Sequence, residues 1–129
     1  MKQAPLLNII EFNGTTYGCR ANILGVYLQQ NLIILDPIAP HNIFGYTAKW
    51  MISREQLVLN TVRAKRKGKY IGVKQLLHTS PSPIAHWFSG SIQLFRVNRN
   101  HLPLPYKTPI EVLTIENGRV VNVENAEVF

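Results

Sequence analysis

The chain has 129 residues, 46% of them hydrophobic and 16% charged, with a net charge of +7 and a single cysteine. That length fits one domain with one core, and the balance of apolar to charged residues excludes a disordered chain. No apolar run approaches the ~20 residues of a membrane helix, and one cysteine provides no disulfide framework of the secreted kind.

The first predicted element is a hairpin. Leu6 to Phe12 is an apolar run, Asn13-Gly14 is a strong short turn signal, and TTYGCRA follows as the return strand. Asn13-Gly14-Thr15 also matches a glycosylation sequon, but the N-terminus MKQAPLLNIIEF is too poor a secretory signal, so a turn in a cytoplasmic protein is expected. Cys19 reads as a small buried hydrophobe rather than a reactive thiol. Val26 to Leu28 and Leu32 to Leu35 flank the polar QQN, which predicts a second tight turn before Asp36-Pro37 ends the strand.

From Tyr46 the alternation is clean. Tyr46, Ala48, Trp50 and Ile52 share one face, and Thr47, Lys49, Met51 and Ser53 share the other, the pattern of a half-buried strand. SREQ turns it into a strand from Leu57 to Ala64, in which Leu57, Leu59 and Thr61 alternate with Val58, Asn60 and Val62. KRKGK predicts an exposed turn around Gly68, and Tyr70 to Leu77 fits either another strand or a short helix.

Pro81 and Pro83 exclude a central strand, so the chain is expected to run extended over an edge and to enter a strand near Ala85. From there His86, Phe88, Gly90, Ile92 and Leu94 form the better core face, with Gly90 leaving room for a bulky aromatic such as Trp50. Trp87 falls on the more polar face, where its ring either caps a barrel mouth or lines a recognition surface. NRNHLPLPYKTP carries three prolines and reads as loop or extended chain. Ile110 to Ile115 and Val120 to Val123 flank Glu116-Asn117-Gly118-Arg119 as the clearest hairpin of all. The sum of these elements is a mostly β, single-domain antiparallel barrel or sandwich with at most one or two short helices.

GYTAKW followed by LVL, and later IAHWFSGSIQL, resemble a pattern of small bacterial β-rich proteins with a Gly-Tyr-x-Ala-x-Trp strand and an Ala-x-Trp-Phe-Ser-Gly strand. The likeness covers about a fifth of the chain. It implies a shared β domain with both tryptophan strands at its structural centre, and it implies no activity.

Charge is distributed unevenly. Residues 1–55 hold four Lys/Arg and three acids, residues 56–110 hold nine and none, and residues 111–129 hold one and four. A stretch with no carboxylate cannot neutralise itself, so either the acidic C-terminal segment or an anionic partner must do so. The partner-binding residues expected on this basis are Arg63, Lys65, Arg66, Lys67, Lys69, Tyr70 and Lys74, together with Trp87. Five cations around a glycine turn suit an acidic protein surface, as an immunity or inhibitor protein would require. They also suit nucleic-acid phosphates, with Tyr70 stacking on a base. A third reading is a barrel enzyme or small-ligand carrier with a pocket lined by Tyr46, Trp50 and Trp87. His41, His78, His86 and His101 lack metal-ligand spacing, and neither a nucleophile elbow nor a phosphate loop is present. No cofactor, metal, catalytic residue or membrane partner is expected.

Overall fold

The computed structural model describes residues 8–37, 45–78, 82–98 and 111–125. Its strands are β1 (Asn8–Phe12), β2 (Thr15–Cys19), β3 (Tyr46–Ser53), β4 (Gln56–Arg66), β5 (Lys69–Ile71), β6 (Gly90–Arg96), β7 (Glu111–Glu116) and β8 (Arg119–Asn125), with helices α1 (Gly25–Gln30) and α2 (Val73–Leu76). The sheet order is β3-β1-β2-β6-β7-β8-β4, and β3 pairs with β4 to close the ring. Seven strands therefore form a barrel, and β5 adds to the protruding end of β4. All pairings are antiparallel except β1 with β3, which the crossover through α1 makes parallel.

The predicted turns form where the turn chemistry demanded them. Asn13-Gly14, Lys67-Gly68 and Asn117-Gly118 all have both φ angles positive, as a two-residue type I′ turn requires. Arg54-Glu55 adopts the same positive angles without a glycine, joining Ser53 to its pair Gln56.

Several expectations are corrected. Residues 25–30 are helical rather than a strand entering a turn, because Leu24, Tyr27 and Leu28 share one face at helical spacing and pack into the core. Asn31 closes the helix by donating its side-chain amide to the Tyr27 carbonyl at 2.9 Å. The alternation in β4 also changes phase. Lys49 pairs with Thr61 and Trp50 with Leu59, so Asn60 is an extra residue in a bulge. Leu59 is buried, Thr61 is exposed, and the inward face resumes at Val62 and Ala64.

The entry to β6 comes later than expected. The chain first makes an isolated bridge from Ile84 to Val58, and the strand begins at Gly90. Gly90 has φ +155°, and the Phe88 ring, not Trp50, lies 3.6 Å from where a Cβ would stand.

The two edges of β4 explain the shape. β3 covers one edge from Tyr46 to Ser53. The other is shared in succession by β8 at Gln56, by residues 83–85 at Leu57 and Leu59, and by β5 from Ala64. α2 packs beside the interval between the last two. Inside, Ile10, Tyr46, Trp50, Leu57, Ile92, Leu94, Leu113 and Ile115 are at most 1% exposed. Each such aliphatic side chain contributes about 1.5–3 kcal/mol by leaving water. The PLPYKTP loop, Pro81 and the C-terminal AEVF lie outside the described residues. No helix among the described residues is long and apolar enough to cross a membrane.

Candidate partner-binding surface

The basic residues are carried by the part of β4 that outruns the barrel and by the two elements that follow. Lys65 pairs with Tyr70 and Arg66 with Lys69, across the Lys67-Gly68 turn. Ala64 points into the core and is fully buried, so strand alternation sends Arg63 and Lys65 outward with Tyr70. The Arg63 guanidinium stands 4.8 Å from the Tyr70 ring centroid and donates to its hydroxyl at 3.2 Å. Lys65 Nζ lies 5.7 Å from the same ring, which is itself 56% exposed. Such contacts hold two cations beside one aromatic plane. Arg66 and Lys69 share the opposite face of the hairpin, and the exposed Lys74 follows on α2.

The hairpin tip is held from a distant part of the chain. The Asp36 N–H donates to the Lys65 carbonyl at 2.7 Å, on the edge of β4 away from β5. The Asp36 carboxylate accepts the N–H of Gly68 at 2.9 Å and that of Lys67 at 3.3 Å. It therefore fixes the turn through the backbone and leaves the cationic side chains free of it. Among the described residues, none of Arg63, Lys65, Arg66, Lys67, Lys69 or Lys74 is ion-paired with a carboxylate. The ion pair that does form, Arg119 to Glu55 at 3.2 Å, lies at the β4–β8 closure. The last strand, β8, thus meets β4 at Gln56, at the far end from the hairpin.

Trp87 goes elsewhere. Its indole N–H donates to the Ile23 carbonyl at 2.8 Å, and its ring lies 4.9 Å from Tyr27 and edge-on to Trp50 at 6.4 Å. It packs against the core cluster instead of standing with the basic residues. Tyr46 and Trp50 are buried and hydrogen-bonded to Asn22 and Asn8, and their rings fill the barrel. Among the described residues, no group of three metal-ligating side chains comes together.

Three features of this region escape a reading of the sequence. Leu32 and Ile34 are 85% and 84% exposed on the segment leading to Asp36, although they belong to an apolar run. Asp36 reaches a turn 31 residues away. A groove of about 510 Å³ opens beside α2, lined by Leu59, Val73, Leu77 and Pro83 with Lys74, His78 and Ser82. Only the exposure of alternate residues about the buried Ile33 has a local signature, a strand-like period with the wrong polarity on its outer face.

Comparison of the chain with protein-family models, with curated proteins and with solved structures returned no match.

Proposed function

We propose that this protein is a small, non-enzymatic binding module that engages an anionic macromolecular surface through the β4–β5 hairpin and α2. The partner is an acidic protein, in the manner of an immunity or inhibitor protein. The observation that carries the reading is the concentration of Arg63, Lys65, Arg66, Lys67, Lys69 and Lys74 on one projecting segment, with no described carboxylate paired to any of them. Unneutralised charge of one sign steers an oppositely charged partner and raises its association rate.

Nucleic acid is the second reading, because the same cations suit phosphates and Tyr70 is an exposed aromatic. The protein reading is preferred because the Tyr70 ring is already held by Arg63 through ring contact and hydroxyl, which a stacking base would have to displace.

The test is a fluorescence titration against polyglutamate, single-stranded RNA and duplex DNA across a salt series. The expected result is polyglutamate binding at low salt that weakens linearly on logarithmic axes and is abolished by K65E/R66E/K67E. Tighter binding of RNA or DNA than of polyglutamate transfers the surface to nucleic acid. Absence of binding to all three at low salt overturns the assignment of the hairpin.

A further inference from the structure

Resting on the reading of the hairpin as a surface for an acidic protein, we infer that the partner's acidic surface carries an apolar recess, which receives Leu32 and Ile34. Single exposed aliphatic residues are ordinary on protein surfaces and carry no message. These two differ in three respects. Both are almost entirely in solvent, on either side of the buried Ile33. Leu32 also adopts φ +53°, a left-handed conformation that normally goes to Gly or Asn because it crowds a Cβ. The conformation itself ends α1, since the Ile33 N–H donates to the Leu28 carbonyl at 2.9 Å and the Leu32 N–H to the Gln29 carbonyl at 3.3 Å, so folding accounts for the turn and not for an aliphatic side chain standing in solvent at it.

Their position supplies the third respect. Ile34 is two residues from Asp36, which is hydrogen-bonded to Lys65, Lys67 and Gly68. The apolar pair and the cationic hairpin are therefore parts of one surface, tied by three hydrogen bonds, with the outward cations and Tyr70 beyond. Both side chains protrude, so the complementary feature on the partner is concave. Cations beside them require carboxylates around that concavity. An apolar anchor inside a ring of charge is the usual arrangement of a specific interface, in which the charges set the encounter and the anchor sets the lifetime.

The probes are two synthetic peptides of equal length and charge, one alternating glutamate with leucine and the other glutamate with serine. Fluorescence anisotropy is measured with the wild type and with L32N/I34T, substitutions that suit the left-handed and extended positions and leave the core untouched. The expected result is binding of the leucine peptide at least about tenfold tighter than the serine peptide, with that advantage lost in L32N/I34T and the salt dependence unchanged. Equal, salt-dependent binding of both peptides, insensitive to L32N/I34T, overturns the recess while leaving the hairpin reading in place. Failure of both peptides at low salt removes the hairpin reading and the inference with it. Binding to phosphatidylserine vesicles through Leu32 and Ile34, with no preference for the leucine peptide, overturns the inference in favour of a lipid surface.

Discussion

Asn8 and Trp50 meet in the closed interior of the barrel, where the Asn8 carboxamide oxygen accepts the Trp50 indole N–H at 2.8 Å. Asn8 is wholly buried, and its amide donates to the Ala21 carbonyl at 3.0 Å and to the Tyr46 hydroxyl at 3.3 Å. The Tyr46 hydroxyl in turn donates to Asn22 Oδ1 at 2.6 Å. One side chain thus satisfies polar groups from the crossover, from β3 and from the largest ring in the core. Asn8→Leu, which keeps the branched shape of the side chain but none of its polarity, leaves the indole N–H and the Ala21 carbonyl without a partner. A loss of about 2–4 kcal/mol is expected in urea unfolding followed by tryptophan fluorescence. A loss below about 0.5 kcal/mol would mean that water or another group takes over these bonds.

The buried ionisable groups make stability fall in alkali. Burial pushes the Cys19 thiol from 9.0 to about 12, against a smaller opposing effect of the Ala21 backbone hydrogen bond. Burial likewise raises the Tyr46 phenol from 10.0 to about 12, opposed by its Asn8 and Leu24 hydrogen bonds. Above pH 9 the unfolded thiol loses its proton while the native one keeps it, so the native state binds more protons and rising pH favours unfolding. The stability these groups contribute is complete below their unfolded values and drains away toward pH 12, at about 1.4 kcal/mol per pH unit for each group. Cys19→Ala is expected to flatten the decline between pH 9 and 10, and native Cys19 is expected to resist a thiol reagent at pH 8 until urea unfolds the chain.

The two Asn-Gly turns predict opposite sensitivities. A Cβ on Gly14 meets nothing within 4 Å, so Gly14→Ala costs only the left-handed backbone penalty, about 1 kcal/mol. A Cβ on Gly118 stands 2.6 Å from the Ala85 carbonyl oxygen. Gly118 also accepts the Leu57 N–H at 2.8 Å and donates to Phe88 at 2.9 Å, which joins β4 and the β6 entry to the β7–β8 turn. Gly118→Ala is therefore expected to cost about 3 kcal/mol or more and to increase amide exchange in β8, where the ring closes on β4 through Gln56 and Arg119.

These glycines also mark how far the fold is legible in the sequence. The turns at residues 13–14, 67–68 and 117–118 are local events, each carrying a glycine that accepts positive φ, and each forms at the expected place, although the strand that follows Gly68 is not decided by its own sequence. The helix at residues 25–30 is also local, but six residues display too little of a 3.6-residue period to outweigh the β-branched and aromatic composition around it. The bulge at Asn60 has no local cause, since it arises from the register of β4 against Lys49 and Trp50. The cationic segment was legible because charge is simply counted. Its setting was not: nothing near Asp36 announces a turn 31 residues away, and the run Leu32 to Leu35 reads as core until the structure turns Leu32 and Ile34 outward.

Trp87 separates stability from binding. Placed by sequence among the partner-binding residues, it packs against Tyr27 and Trp50 and donates to Ile23, so its loss acts on the core. Trp87→Ala is expected to cost about 3–5 kcal/mol, and Trp87→Phe, which keeps a ring but drops the N–H, about 1–2 kcal/mol. In the conservative variant, polyglutamate affinity is expected to remain within about twofold of wild type, because the cations on β4, β5 and α2 are unchanged. Charge reversal at Lys65, Arg66 and Lys67 is expected to do the converse, abolishing binding with a stability change within about 0.5–1 kcal/mol at exposed and half-exposed positions. Loss of binding in Trp87→Phe at unchanged stability would return the indole to the partner surface and require that its outer edge, not its packed face, be the functional one.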